Sequence, residues 1–127
     1  MNRITLVLLA SCLAVPVLAH EGHKHDEAKE KAAVSTLSGE LVDMACYMNK
    51  EEKGAKHAGC AEMCVKNGAP LGLLTNDGKL YLLVNDHAKE KAYAAAKLLA
   101  GKNAKITGAV VSRGGVQAII VGKAEAP

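Results

Sequence analysis

The order of hydrophobic and polar positions along this 127-residue chain predicts five short strands, of which the first alternates and the second and third are short apolar runs on either side of a turn. The segments span residues 37–44, 70–75, 80–84, 105–112 and 116–122. Turn residues at 76–79, with sequence Asn-Asp-Gly-Lys, separate the second strand from the third. A second turn at 113–115, Arg-Gly-Gly, joins the last two strands. The pattern therefore predicts two hairpins.

Two segments, a long one and a short one, have the pattern of a helix instead. Residues 87–100 are rich in Ala and Lys, with Asp86 as a predicted cap and Gly101 as the stop signal. The apolar stripe of this helix is expected to contain Ala88, Ala92, Ala95, Ala96 and Leu99. A shorter helical pattern covers 58–66 and ends at the Asn-Gly pair that follows.

The predicted order is strand, Cys-rich insert, two strands, helix, two strands. This order predicts a mostly β protein with one main helix: a five-stranded OB-like barrel with a Cys-rich insert after the first strand, formed by residues 34–127. Over 38–123 the chain resembles the small exported bacterial OB-fold proteins. The resemblance rests on Gly-Glu-Leu-Val-Asp at 39–43, on Ile-Thr-Gly at 106–108 and on 115–121. It implies a fold and no function, and the insert departs from it.

The first 19 residues are predicted to be a secretory signal peptide. Arg3 supplies the positive charge, 4–15 the apolar stretch and Val-Leu-Ala at 17–19 the cleavage site. The stretch is too short for a permanent membrane span. An alternative is the lipobox-like sequence Leu-Ala-Ser-Cys at 9–12, which would lipidate Cys12. Both alternatives place the mature chain outside the cytoplasm, and the sequence favours a periplasmic protein without lipid.

Charge and aromatic content argue against a nucleic-acid partner. The net charge of +3 falls to +2 when Arg3 leaves with the leader, and the basic residues are scattered. The chain has no Trp, no Phe and three Tyr, whereas OB-folds that bind single strands stack bases on aromatic side chains.

All Cys and Met residues outside the leader lie in one 21-residue window together with a histidine. They are Met44, Cys46, Met48, His57, Cys60, Met63 and Cys64. Thiolate, thioether and imidazole are the groups that Cu(I) prefers and that also bind Zn(II). The window therefore indicates metal binding or thiol chemistry.

The spacing within the window suggests one site. On a helix extended back by one turn, His57, Cys60 and Cys64 share a face, and Cys46 at the end of the first strand can close onto it. Three thiolates and an imidazole form a zinc ligand set, and a methionine in place of one ligand suits Cu(I). The Cys-x3-Cys spacing with a nearby His is similar to that of Sco-type copper proteins and of the binuclear copper centre of terminal oxidases. Here, however, the histidine precedes the pair.

A structural disulfide is the alternative. Three cysteines in an oxidising compartment allow one crosslink and one free thiol, with Cys46 paired to Cys60 or to Cys64, or Cys60 paired to Cys64. A crosslink of ~2–4 kcal/mol would stabilise a domain with a small core. In this interpretation the methionines only fill space. Asp43 and Tyr47, beside Cys46, are expected in a solvated turn, with contacts that support the metal ligands as the alternative.

Residues 20–33 are predicted to form a flexible, His-rich tail. His20, His23 and His25 make a weak chelator for Cu(II), Zn(II) or Ni(II), unless the tail is simply polar. Cleavage after Ala19 would make His20 the N-terminus, so that its amine and imidazole could bind copper together.

The sequence favours a periplasmic protein that sequesters or transfers copper or zinc, with the metal ion and another metal-handling protein as partners. One alternative is an exported OB-fold interaction or ligand-binding domain with structural disulfides. Another is thiol-disulfide exchange at Cys60 and Cys64, although the Cys-x-x-Cys motif is missing. No pattern is typical of a hydrolytic triad or a phosphate loop, so an enzyme is not expected.

Overall fold

The computed structural model describes residues 32–127. The predicted signal peptide, the lipidation alternative at Cys12, and the chelating residues His20, His23 and His25 all lie outside the described residues. Those interpretations remain predictions.

Five strands and three short helices make up the described chain. In order they are β1 (Val34–Asp43), α1 (Met44–Lys50), α2 (Ala58–Lys66), β2 (Leu71–Thr75), β3 (Leu80–Val84), α3 (Glu90–Lys97), β4 (Asn103–Arg113) and β5 (Val116–Glu125). Between residues 32 and 127, no helix is both long enough and apolar enough to cross a bilayer.

The strands close into a barrel in the order β1-β2-β3-β5-β4, with β4 returning to β1. All neighbouring pairs are antiparallel except β3 and β5, which run parallel because α3 and β4 intervene. The predicted five-stranded, OB-like barrel with a Cys-rich segment after the first strand is confirmed. Closure leaves no unpaired sheet edge, so the barrel positions β1 from both sides.

Both predicted hairpins are present. At the β2–β3 turn the Thr75 N–H donates to Lys79 O at 2.9 Å, and the Lys79 N–H donates to Thr75 Oγ1 at 3.1 Å. At the second turn Arg113 pairs directly with Val116, leaving Gly114 and Gly115 as the two turn residues, with φ of 57° and 79°. Two successive positive φ angles are required by the two-residue turn that matches strand twist, and glycine adopts them without strain.

The core fills the barrel with aliphatic side chains and is closed by α2 and α3. Its wholly buried members include Leu41, Leu73, Ile106 and Ile119. On α2, Ala61 and Val65 are buried, one helical turn apart. The wholly buried members of the core are aliphatic, and Tyr81 and Tyr93 pack against them partly buried.

The predicted long helix is shorter than its pattern suggested. Residues 87–100 were expected to be helical, but α3 begins at Glu90 and ends at Lys97. Asp86 does accept a backbone hydrogen bond, from Ala88 at 2.9 Å, yet it caps a separate turn before the helix. Ala88 is therefore exposed and outside the buried stripe, while Ala96 is completely buried as predicted. Gly101 has φ of 75° after the helix, in agreement with the predicted stop.

Candidate metal centre

Asp43 is a completely buried carboxyl group at the junction of β1 and α1. Its Oδ1 accepts the backbone N–H of Cys46 at 2.8 Å and so caps α1. Its Oδ2 lies 3.0 Å from Nε2 of His57. The expected solvated turn at Asp43 is wrong, because the chain passes directly from β1 into a helix and the carboxylate turns inward as the cap. Tyr47, on α1, is only half-buried, with the Lys53 ammonium over its ring.

The hydrogen bonds around Asp43 favour its charged form. Burial alone would raise the pKa of this carboxyl group, but the Cys46 N–H and the His57 imidazole outweigh burial and hold its pKa below the ordinary 3.8. A buried carboxylate that stays ionised needs hydrogen bonds or a cation beside it. The site is therefore built around a fixed negative charge.

Cys46 lies one turn into α1, half-buried, with its Sγ 4.0 Å from Sγ of Cys64. Burial, the hydrogen bond to the Asp43 carboxylate and the adjacent Cys64 thiol raise the pKa of Cys46 to about 12. A thiol with this pKa keeps its proton at neutral pH unless a cation displaces it. Without such a cation Cys46 is a poor nucleophile.

His57 enters the site from the other side, as the residue that precedes α2. Its side chain is 12% exposed, and its ring makes no capping hydrogen bond to α2, so both nitrogens are available to other partners. Nε2 faces Asp43, and Nδ1 lies 3.5 Å from Oε2 of Glu52. The backbone N–H of His57 donates to Gly54 O at 2.9 Å. This bond holds the loop that carries the side chains of Glu52 and His57.

Asp43, Cys46 and His57 bring one ligand atom each to within 4.8 Å of one another. These atoms are close enough to bind a single metal ion, and they include one oxygen, one sulfur and one nitrogen. They come from β1, α1 and the start of α2, so the site forms only when the insert has folded onto the barrel. The Cys64 sulfur lies 4.0 Å from that of Cys46.

The sequence-predicted residues divide into two groups. Cys46, His57 and Cys64 come together, but Cys60 is exposed. The reason is the orientation of α2, which buries Ala61 and Val65 and therefore places Cys64 at the edge of the buried face and Cys60 farther towards solvent.

The methionines are not gathered at the site. Met48 and Met63 are 67% and 65% exposed. Met44 is half-buried and packs over β2, where a side chain on Gly72 would lie only 2.5 Å from the Met44 sulfur. Met44 thus fills space between α1 and the barrel, as methionine commonly does.

Of the two acidic residues of the site, Asp43 is predicted only as an alternative supporting group beside the ligands, and Glu52 is not predicted at all. For Asp43 a signal exists in the sequence: an Asp that ends a strand three residues before Cys46 can cap a helix through the Cys46 N–H. This cap can be predicted only if α1 is predicted as a helix, and the seven residues of α1 have little apolar periodicity. For Glu52 we find no sequence signal, since its neighbours Glu51 and Lys53 are equally polar.

Comparison of the chain with known protein families, with curated proteins and with solved structures finds no match. The likenesses to exported OB-fold proteins and to Sco-type copper sites remain predictions.

Proposed function

We propose that this protein binds one transition-metal ion at Asp43, Cys46 and His57, with Cys64 as the adjacent fourth ligand. The observation that carries the proposal is the approach of three ligand atoms from separate elements to within 4.8 Å around a buried carboxylate. A bound cation would neutralise that carboxylate and take the place of the Cys46 proton. Neutralisation of the carboxylate favours binding, whereas displacement of the Cys46 proton opposes it at neutral pH and makes the affinity depend on pH.

Zn(II) fits this set of ligands better than Cu(I). Zinc accepts carboxylate, imidazole and thiolate together in four-coordinate sites, whereas Cu(I) selects thiolate and thioether. The thioethers of Met48 and Met63 are directed to solvent, which weakens the case for copper at this position. Cu(II) remains the ion for which the histidines of the N-terminal tail are suited.

The biological role we propose is sequestration or transfer of the metal in the periplasm. The leader supports the location. The half-buried positions of Cys46 and Cys64 support exchange, because a partner's ligand could reach the sulfur atoms without unfolding of the barrel. No catalytic step is needed for this role.

Metal titration of the reduced protein, residues 20–127, tests the proposal. Wild type should bind one Zn(II) per chain in competition with a chromophoric chelator, and Cys46→Ser should lose most of that affinity. Cys60→Ser is the matched control, because it removes the same group from the exposed side of α2. Equal zinc affinity in wild type and Cys46→Ser would refute the site. An equal loss in Cys60→Ser would restore Cys60 as the ligand that the sequence predicts.

A second candidate function is that of an OB-like domain whose insert is held by a disulfide. The 4.0 Å between the sulfurs of Cys46 and Cys64 favours this pairing over those involving Cys60. Formation of the bond would require an approach to about 2.05 Å. Counting free thiols in protein purified without reductant separates the alternatives: one reactive thiol indicates the crosslink, and three indicate the thiol form that binds metal.

A further inference from the structure

Glu52 occupies the side of His57 opposite to Asp43. Its Oε2 is 3.5 Å from Nδ1 of His57, while Asp43 Oδ2 is 3.0 Å from Nε2. The imidazole ring therefore stands between two carboxylates of different character: Asp43 is completely buried, and Glu52 is 42% exposed.

The backbone conformation at the end of α1 places Glu52 beside His57. Glu51, the residue before it, ends α1 in the left-handed conformation, with φ of 54° and ψ of 27°. Within residues 32–127 it is the only residue other than glycine with a positive φ. Such a conformation costs of order 1 kcal/mol or more and persists only where surrounding contacts maintain it. Here it reverses the chain after α1 and directs Glu52 towards His57.

The loop between α1 and α2 is held to β1 at Gly54. The backbone N–H of Gly54 donates to the Glu40 carboxylate on β1, and Gly54 O accepts the N–H of His57. Glu52 and His57 thus belong to a short loop whose path is held by the barrel. The contact between Glu52 and His57 is therefore set by the path of this loop and not by two mobile surface side chains.

We propose that Glu52 is a positioning residue, which accepts the Nδ1 proton of His57 and thereby presents Nε2 to the metal. An imidazole that binds a metal through one nitrogen carries its proton on the other, and a carboxylate that accepts this proton orients the ring and increases its basicity. The 3.5 Å contact is longer than an ordinary hydrogen bond, and rotation of the half-exposed Glu52 side chain can shorten it. This inference rests on the proposed metal-binding function.

Three variants separate the positioning role from a general effect of charge. Glu52→Ala removes the acceptor, Glu52→Gln retains a neutral oxygen acceptor, and Glu51→Gln removes one negative charge from the neighbouring residue without a contact to His57. In Zn(II) titrations we expect Glu52→Ala to bind about 10–100-fold more weakly than wild type. Glu52→Gln should bind with intermediate affinity, and Glu51→Gln as wild type does.

The ring nitrogens of His57 provide the second readout. In ¹⁵N NMR spectra of the zinc-loaded protein, Nε2 should have the shift of a metal-bound nitrogen and Nδ1 that of a protonated one. In Glu52→Ala the Nδ1 proton should exchange with solvent faster. Unchanged zinc affinity together with unchanged proton exchange in Glu52→Ala would overturn the inference, as would metal binding through Nδ1.

A failure of the proposed metal site can be distinguished from a failure of the Glu52–His57 contact. If wild type binds no Zn(II), the proposed function fails, and the contact can still be tested in the metal-free protein. There, Glu52→Ala but not Glu51→Gln should change the His57 ring ¹⁵N shifts. If neither variant changes them, Glu52 does not act on His57.

Discussion

Nε2 of His57 lies 3.0 Å from Oδ2 of Asp43, and this contact joins the end of β1 to the start of α2. The same carboxylate caps α1 through its other oxygen. One buried side chain therefore contacts both helices of the Cys-rich insert, α1 through its cap and α2 through the residue that precedes it. Any change at Asp43 should affect the stability of the insert and the ligand set together.

Acid should destabilise the metal-free protein through Asp43. Because its pKa is lower in the folded protein than the ordinary 3.8, the carboxylate contributes stability at higher pH, and that contribution is lost as the pH falls below 3.8 through the folded value. Urea unfolding between pH 6 and pH 2.5 measures the effect. Asp43→Asn keeps a capping oxygen for α1 and should show a flatter decrease in the free energy of unfolding over this acid range. An equally steep decrease in both proteins would assign the acid sensitivity to other groups.

Zinc binding should release the Cys46 proton. Since the pKa of this thiol is about 12, the metal must displace a proton at neutral pH, and affinity should rise about tenfold per pH unit for each proton released. Calorimetric titrations in buffers of different ionisation enthalpy count the released protons. Cys46→Ser should release at least one proton fewer, and an unchanged count would show that the Cys46 thiolate is not a ligand.

The three thiols should differ in reactivity. Cys60 is exposed, whereas Cys46 is half-buried and holds its proton, so iodoacetamide at pH 8 should modify Cys60 before Cys46. Peptide mass mapping of partially labelled protein gives the order. In Cys60→Ser the first rapid phase of labelling should disappear, and rapid labelling of Cys46 would contradict the environment described for it.

Oxidation should join Cys46 to Cys64. With oxidised glutathione as the disulfide donor, the two thiols lose their protons and two electrons, and glutathione is reduced. The crosslink closes a loop between residues 18 positions apart and should stabilise the protein by ~3 kcal/mol while abolishing zinc binding. A non-reducing peptide map identifies the pair. A Cys60-containing crosslink as the main product would contradict the 4.0 Å placement.

Gly101 should be essential for the position of α2. It has φ of 75°, and a Cβ at this residue would lie 2.5 Å from Cα of Ala58, the first residue of α2. Gly101→Ala should therefore lower the free energy of unfolding by about 1–3 kcal/mol and weaken zinc binding by displacing His57. Gly59→Ala is the control, because its Cβ would meet nothing within 4 Å, and helix propensity favours it by up to about 1 kcal/mol. Thermal unfolding of both variants checks the opposite signs.

Much of the barrel could be predicted from patterns within short stretches of the sequence. The bounds of β3 agree with the prediction, and α2 spans the predicted 58–66, because apolar runs, turn residues and an Asn-Gly stop act over a few neighbouring positions. The helix before β4 was located, but its first turn was misplaced, since Asp86 can cap either a helix or an isolated turn. Its local sequence does not distinguish the two.

By itself the sequence determined that soft metal ligands lie in one insert, since Cys46, His57 and Cys64 are close in the chain and the thiols occur nowhere else outside the leader. Only the tertiary structure decided which of them meet. The rotation of α2 against the core turned Cys60 to solvent, and the left-handed Glu51 brought Glu52 to His57. The tertiary structure also buried Asp43, and the hydrogen bonds from Cys46 and His57 keep this carboxylate charged against the effect of burial. The rotation of α2 and the burial of Asp43 depend on contacts with strands far apart in sequence, and the position of Glu52 depends on a single left-handed residue, none of which periodicity encodes.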